Sequence, residues 1–220
     1  MVELIDIFLQ RKSIQKLVAE RPGLGKAILA TILVTILYSI VSIFWNTLAA
    51  VILGVIGGGN PVTILITYLF FGIVMLVFTI ILGIPFALVA TLIMVLLHFI
   101  FAKLLGGKGT GLIQFFSLML MLSAALMLLI TIIYPLLIIP FLNLLVALAL
   151  LIYCAYLEIK LIKEYFSLTT IRAILAYILP VILLIIVILI LVVLIVVLLG
   201  VAAISALSSA GTGLASMPLS

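Results

Sequence analysis

The chain has 220 residues, of which 70% are hydrophobic and only 7% charged, and its mean hydropathy of +1.78 lies far outside the range of water-soluble domains. So little polar sequence remains that no folded soluble domain fits within it. The net charge of +5 is dispersed among short connections with no soluble surface to form a groove, which excludes nucleic-acid binding and points to anionic lipid head groups.

Charged side chains are absent from Ala27 to Ala102, from Gly109 to Leu157 and from Ala173 to Ser220. Each run exceeds the roughly 20 residues that carry a helix across a hydrocarbon core about 30 Å thick. In lipid the backbone must satisfy its own polar groups, so these runs are expected to be helical. The alternation of a β-barrel strand is missing from all three. The expected fold is all-α, a polytopic membrane bundle with five transmembrane helices.

Residues 1–26 form a basic N-terminal segment. Leu4, Ile5, Phe8, Ile14, Leu17 and Val18 recur at approximately helical spacing, with Arg11, Lys12 and Lys16 between them. This is the pattern of an amphipathic helix lying on the inner leaflet and stopping before Pro22. Arg21 and Lys26 complete a set of five basic residues suited to anionic lipid, while Glu3 and Asp6 spoil the basic start of a cleavable signal peptide. The first crossing is expected over 27–56, with Trp45 as an interfacial anchor near its outer end. Asn46 is an isolated amide suited to bonding across helices, a contact typically worth about 0.6 to 2 kcal/mol. The neutral turn from Gly57 to Pro61 ends this crossing.

The stretch from Val62 to Ala102 would measure about 60 Å as one helix, too long for one straight crossing and too short for three. Gly83 and Pro85 weaken it at "LGIPF", where Pro85 removes a backbone donor. The expectation is a crossing over 76–102 with an accessory or kinked piece at 62–84: either one long kinked helix, or an outer interfacial or re-entrant piece before the crossing. Further crossings are expected at 112–133, 140–157 and 180–200, giving a membrane domain of 27–205. Pro135 and Pro140 mark the second neutral turn. Pro140 and Pro180 suit first-turn helix positions, where a missing amide hydrogen costs nothing. Asn143 is a second isolated amide, and residues 206–220, rich in Ser, Gly and Ala, read as a flexible outer tail.

Orientation follows from the basic residues. Five precede the first crossing, Lys103 and Lys108 share one turn, and Lys160, Lys163 and Arg172 share another, while the turns at 57–61 and 134–140 contain none. By the positive-inside rule the N-terminus is cytoplasmic and the C-terminus outside.

The run "LLGGKGTG" invites a phosphate-loop reading. A Walker A pattern ending in Gly107 and Lys108 needs glycine where Ala102 stands and Ser or Thr where Gly109 stands, and no strand precedes it. The run is better explained as a tight cytoplasmic hairpin in which Gly106, Gly107 and Gly109 turn the chain and Lys103 and Lys108 face head groups. His98, the only histidine, is expected as a hydrogen-bonded residue near the membrane interface. Glu158 begins the loop "EIKLIKEYFSLTTIR" and wants a positive partner, for which Lys103 or His98 is available. His98, Lys103, Lys108, Glu158 and Arg172 are therefore the candidate ligand or partner contacts. Cys154 reads as a small buried hydrophobe, and with one His and one Cys no internal disulfide or common metal cluster forms. No crossing contains Asp, and no serine has an evident base, so neither an enzymatic activity nor a cofactor is expected.

The segments "LLHFIFAKLLGGKGT" and "YLEIKLIKEYFSLTTIRAILAYILP" resemble the two most recognisable parts of the Yip1 domain, a five-crossing integral membrane family. "AERPGLGKAI" resembles the segment that leads into its first helix. The resemblance covers Glu20 to Gly200 and rests mainly on the glycine hairpin. It departs from the pattern at "LMLSAALML", where the family often carries tyrosine and proline, and in the short N-terminal region. It implies a short, prokaryote-like member in the cell membrane. The association of longer members with Rab-type GTPases implies GTPase binding only by analogy, since the soluble arm is lost here.

Two functions are consistent with these features. The first is a non-enzymatic protein in a trafficking-like role that organises membrane or binds a partner, either a second copy of itself or a related membrane protein. The alternative is a small channel, transporter or lipid-translocating protein that uses the broken second helix region.

Overall fold

The computed structural model describes residues 14–214. Arg11, Lys12 and the apolar positions Leu4, Ile5 and Phe8 of the expected amphipathic helix lie outside the described residues. Among those described, every regular element is helical: α1 (Ile14–Glu20), α2 (Leu24–Ile56), α3 (Pro61–Phe78), a π-helical turn (Thr79–Gly83), α4 (Ile84–Leu104), α5 (Leu112–Leu137), α6 (Pro140–Phe166) and α7 (Thr170–Leu214). Five helices are long and apolar enough to cross a membrane, at Leu24–Ile56, Pro61–Leu104, Leu112–Leu137, Phe141–Phe166 and Thr170–Leu199. The chain is a multi-pass membrane protein of the all-α class.

The turn between α2 and α3 is built from its own residues. Gly58 takes φ +79°, a conformation that costs glycine nothing. The Asn60 side chain then accepts hydrogen bonds from the amides of Val62 at 2.9 Å and Thr63 at 3.4 Å, and Pro61 occupies the start of the helix. Both are favoured devices for a helix N-terminus. Deeper in, a Cβ added to Gly72 would lie 2.6 Å from Ile43 Cγ2, so glycine permits the close approach of α2 and α3.

The helical path from Pro61 to Leu104 is unbroken, and its irregularity falls at the expected weak point. The Ile84 amide bonds to the Thr79 carbonyl, five residues back, just before Pro85. A proline ring clashes with the carbonyl four residues earlier. Opening the ladder by one residue in a π turn lets the helix continue, so the path is a long irregular helix and contains no re-entrant piece.

At the centre of the unit that extends through Tyr177 stands α5, with every residue from Phe115 to Leu122 buried. It packs most extensively against α2. Thr31 Oγ1 donates to the Leu120 carbonyl at 3.4 Å, and Asn46 Nδ2 donates to the Tyr134 hydroxyl at 2.8 Å. Asn46 thus bonds across helices. Pro135, expected in the turn, lies inside α5. Near a helix end a proline costs one backbone bond, whereas ending the helix earlier would strand several polar groups in lipid. Pro140 opens α6 as expected.

Two further boundaries differ from expectation. Residues 158–166 are helical and belong to α6, so the loop to the next helix shrinks to Ser167–Thr169. Leu157, Leu161, Ile162 and Phe166 are all buried and form one apolar stripe, which holds the helix onto the bundle after its charged residues begin. The last helix starts at Thr170, so Pro180 lies inside it and not in its first turn; buried Ala173 and Ala176 anchor the added turns. From Ile178 onward α7 forms a separate unit, dominated by Ile, Leu and Val as far as Leu199. Its helix continues to Leu214.

Candidate functional site

Most of the candidate residues meet at one end of the first unit, around the glycine hairpin. There α4 ends in a Schellman motif: Gly106 adopts φ +90°, its amide bonds to Lys103 O at 3.0 Å, and the Gly107 amide bonds to Ala102 O at 2.9 Å. These bonds satisfy carbonyls that the helix end would leave unpaired. The hairpin is then fastened to the end of α6. The Lys108 amide donates to Phe166 O at 2.9 Å. The Tyr165 hydroxyl donates to Gly111 O at 2.6 Å and accepts from the Gly111 amide at 3.1 Å.

Glycine is required here because aromatic rings form the floor. A Cβ at Gly109 would lie 2.7 Å from Tyr165 Cε1, and one at Gly107 would lie 2.7 Å from Ala102 O and 2.9 Å from Phe166 Cδ1. Phe166 lies against Phe115, with ring centroids 5.0 Å apart, and against Phe99 at 5.4 Å. Edge-to-face arrangements at such distances are favourable beyond the area they bury. Tyr165 and Phe166 were not among the candidates from sequence. Their signal was the adjacency of "EYF" to a helix end, which acquires meaning only once the hairpin lies across it.

Around this floor the cations take different positions. Arg172 Nη1 donates to Leu105 O at 3.3 Å, tying the start of α7 to the hairpin. Lys103 Nζ lies 5.9 Å from the centre of the Phe99 ring, Lys160 lies over Tyr156 at 5.7 Å, and Lys163 Nζ donates to Thr170 Oγ1 at 3.0 Å. Arg21 follows α1 with φ +48°. Together with Lys108 it lines a cavity of about 220 Å³, completed by Val18, Gly109, Thr110, Gln114, Tyr165 and Ser167. The hairpin is thus a turn, as its sequence indicates, and it also forms a wall of a polar cup.

A second cavity, of about 280 Å³, lies deeper between α4, α5 and α6. His98 and Glu158 both line it, with Thr91, Ser123, Met94 and Met119. Within the bundle His98 is 2% exposed and stacks on Tyr177 with ring centroids 5.7 Å apart. The carbonyls of Met94 and Tyr177 are its nearest backbone acceptors, yet neither ring nitrogen completes a well-formed hydrogen bond. Its burial follows from the face of α4 it shares with Val95 and Ala102, both fully buried against the bundle. The expected clamp does not form: Glu158 has no ion pair with Lys103 or His98, and Lys103 lies over the Phe99 ring. Among the described residues no group of three or more His, Cys, Asp or Glu side chains gathers as metal ligands would. No protein-family model matches the chain, and no curated protein or solved structure matches it.

Proposed function

We propose that this chain is a non-enzymatic membrane protein of the cytoplasmic membrane of a prokaryote, acting through a basic cytoplasmic face. That face engages anionic lipid head groups and a membrane partner, either a second copy of the chain or a related protein, in a membrane-organising, trafficking-like role. The observation that carries the reading is the fastened hairpin: backbone, Tyr165 and Arg172 bonds hold it in one conformation, and it presents Lys103 and Lys108 from a rigid floor. A pre-ordered basic surface binds with less entropic loss than a flexible one.

The five crossing helices and the hairpin are in keeping with membership of the Yip1 domain family, which belongs to this proposal. GTPase binding is no part of it. The unbroken helix from Pro61 to Leu104 favours this reading over a transport path lined by a re-entrant segment. The test is charge reversal of Lys103, Lys108 and Arg172 to Glu in protein reconstituted into nanodiscs. Retention of anionic lipid, measured by native mass spectrometry, is expected to fall several-fold, and crosslinking between membrane partners to diminish. A strictly monomeric protein with unchanged lipid retention would overturn the proposal.

A further inference from the structure

We propose that the cup between α1, the hairpin and the end of α6 is a binding subsite for a phosphomonoester, carried either on a lipid head group or on a small soluble molecule. The inference deepens the proposed function and rests on it, because it gives the basic face a defined ligand chemistry. Arg21 and Lys108 are far apart in sequence, yet both line the same cavity of about 220 Å³. Two cations drawn from separate segments into one concavity repel each other, and a dianion between them removes that cost.

The remaining walls have the right chemistry. Thr110 and Ser167 contribute hydroxyls and Gln114 an amide, and among the described residues no acidic side chain lines the cup. Arginine and lysine donate and never accept, while hydroxyls turn to suit the acceptor they meet. The cup is therefore rich in donors for a group that offers only acceptors. Arginine's planar fork matches two phosphate oxygens at once, and lysine supplies a point charge.

Both cations are also positioned by their backbones. The Lys108 amide is bonded to Phe166 O, which fixes where that side chain leaves the hairpin. Arg21 holds φ +48° directly before Pro22, a conformation that side chains rarely adopt and that the following proline disfavours. Such strain is found where geometry serves binding. A cavity of about 220 Å³ leaves room for a phosphate and the start of its ester substituent. This construction differs from a nucleotide loop: side chains from three segments take the place of a row of backbone amides.

The experiment uses the full chain in phosphatidylcholine nanodiscs. One arm adds phosphatidic acid, a phosphomonoester lipid, or phosphatidylglycerol, a phosphodiester, and reads bound lipid by native mass spectrometry. The other arm titrates glycerol 3-phosphate by calorimetry. Binding in the first arm alone identifies a lipid head group, and binding in the second identifies a soluble ligand; either supports the subsite. R21Q and K108Q are each expected to weaken phosphomonoester binding at least ten-fold, and T110V several-fold. K160Q, which removes the same charge from a lysine that lies over Tyr156 outside the cup, is expected to change it less than two-fold. Unchanged thermal unfolding of each variant shows that the fold is intact. Equal losses in K160Q and the cup variants, or equal affinity for the mono- and diester lipids, would overturn the subsite while leaving the broader basic-face function standing. If none of the variants altered binding of any anionic lipid, both would fall.

Discussion

Both nitrogens of the His98 imidazole are buried without a complete hydrogen bond, and a buried polar group left in that condition costs about 1–3 kcal/mol. Leucine has a similar volume and no polar atom. His98→Leu gives up the stacking on Tyr177, worth about 0.5–1.5 kcal/mol, but removes two desolvated nitrogens. The expected result in detergent is unchanged or higher thermal stability, by about 0 to 2 kcal/mol. A clear loss of stability would show instead that the imidazole has a polar partner in the folded protein.

At the level of elements, the hairpin and α6 hold each other through a small number of contacts. Tyr165→Phe keeps the ring against Phe115 and Phe166 and deletes only the hydroxyl that bonds Gly111 twice. At about 0.5–1.5 kcal/mol for each bond, the variant is expected to lose roughly 1–3 kcal/mol of stability. Faster amide exchange should be confined to residues 105–111, leaving the centre of α5 protected. Uniformly faster exchange across the bundle would contradict a role local to the hairpin. The stripe of Leu157, Leu161, Ile162 and Phe166 explains why this docking site exists at all, since it keeps α6 helical and seated beyond its last uncharged turn.

For the molecule as a whole, the distribution of basic residues predicts which end faces the cytoplasm. In a Cys154→Ser background, Lys108→Cys is expected to react with a membrane-impermeant thiol reagent from the cytoplasmic side only. Thr63→Cys, exposed beside the neutral turn, should react from the opposite side only, and the reverse pattern would invert the topology. The number of crossings, the helical class, the weak point at Gly83 and Pro85 and the turn at "GGKGTG" were legible in the sequence, because bilayer thickness and backbone satisfaction act along the chain one residue at a time. The burial of His98, the docking of Tyr165 on Gly111, the persistence of α6 to Phe166 and the meeting of Arg21 with Lys108 were decided by tertiary structure alone. Lipid is as apolar as a protein core, so helices such as α4 and α5 carry no polar face to reveal which side meets a neighbour. Contacts between residues more than fifty positions apart exist only after those faces have been chosen.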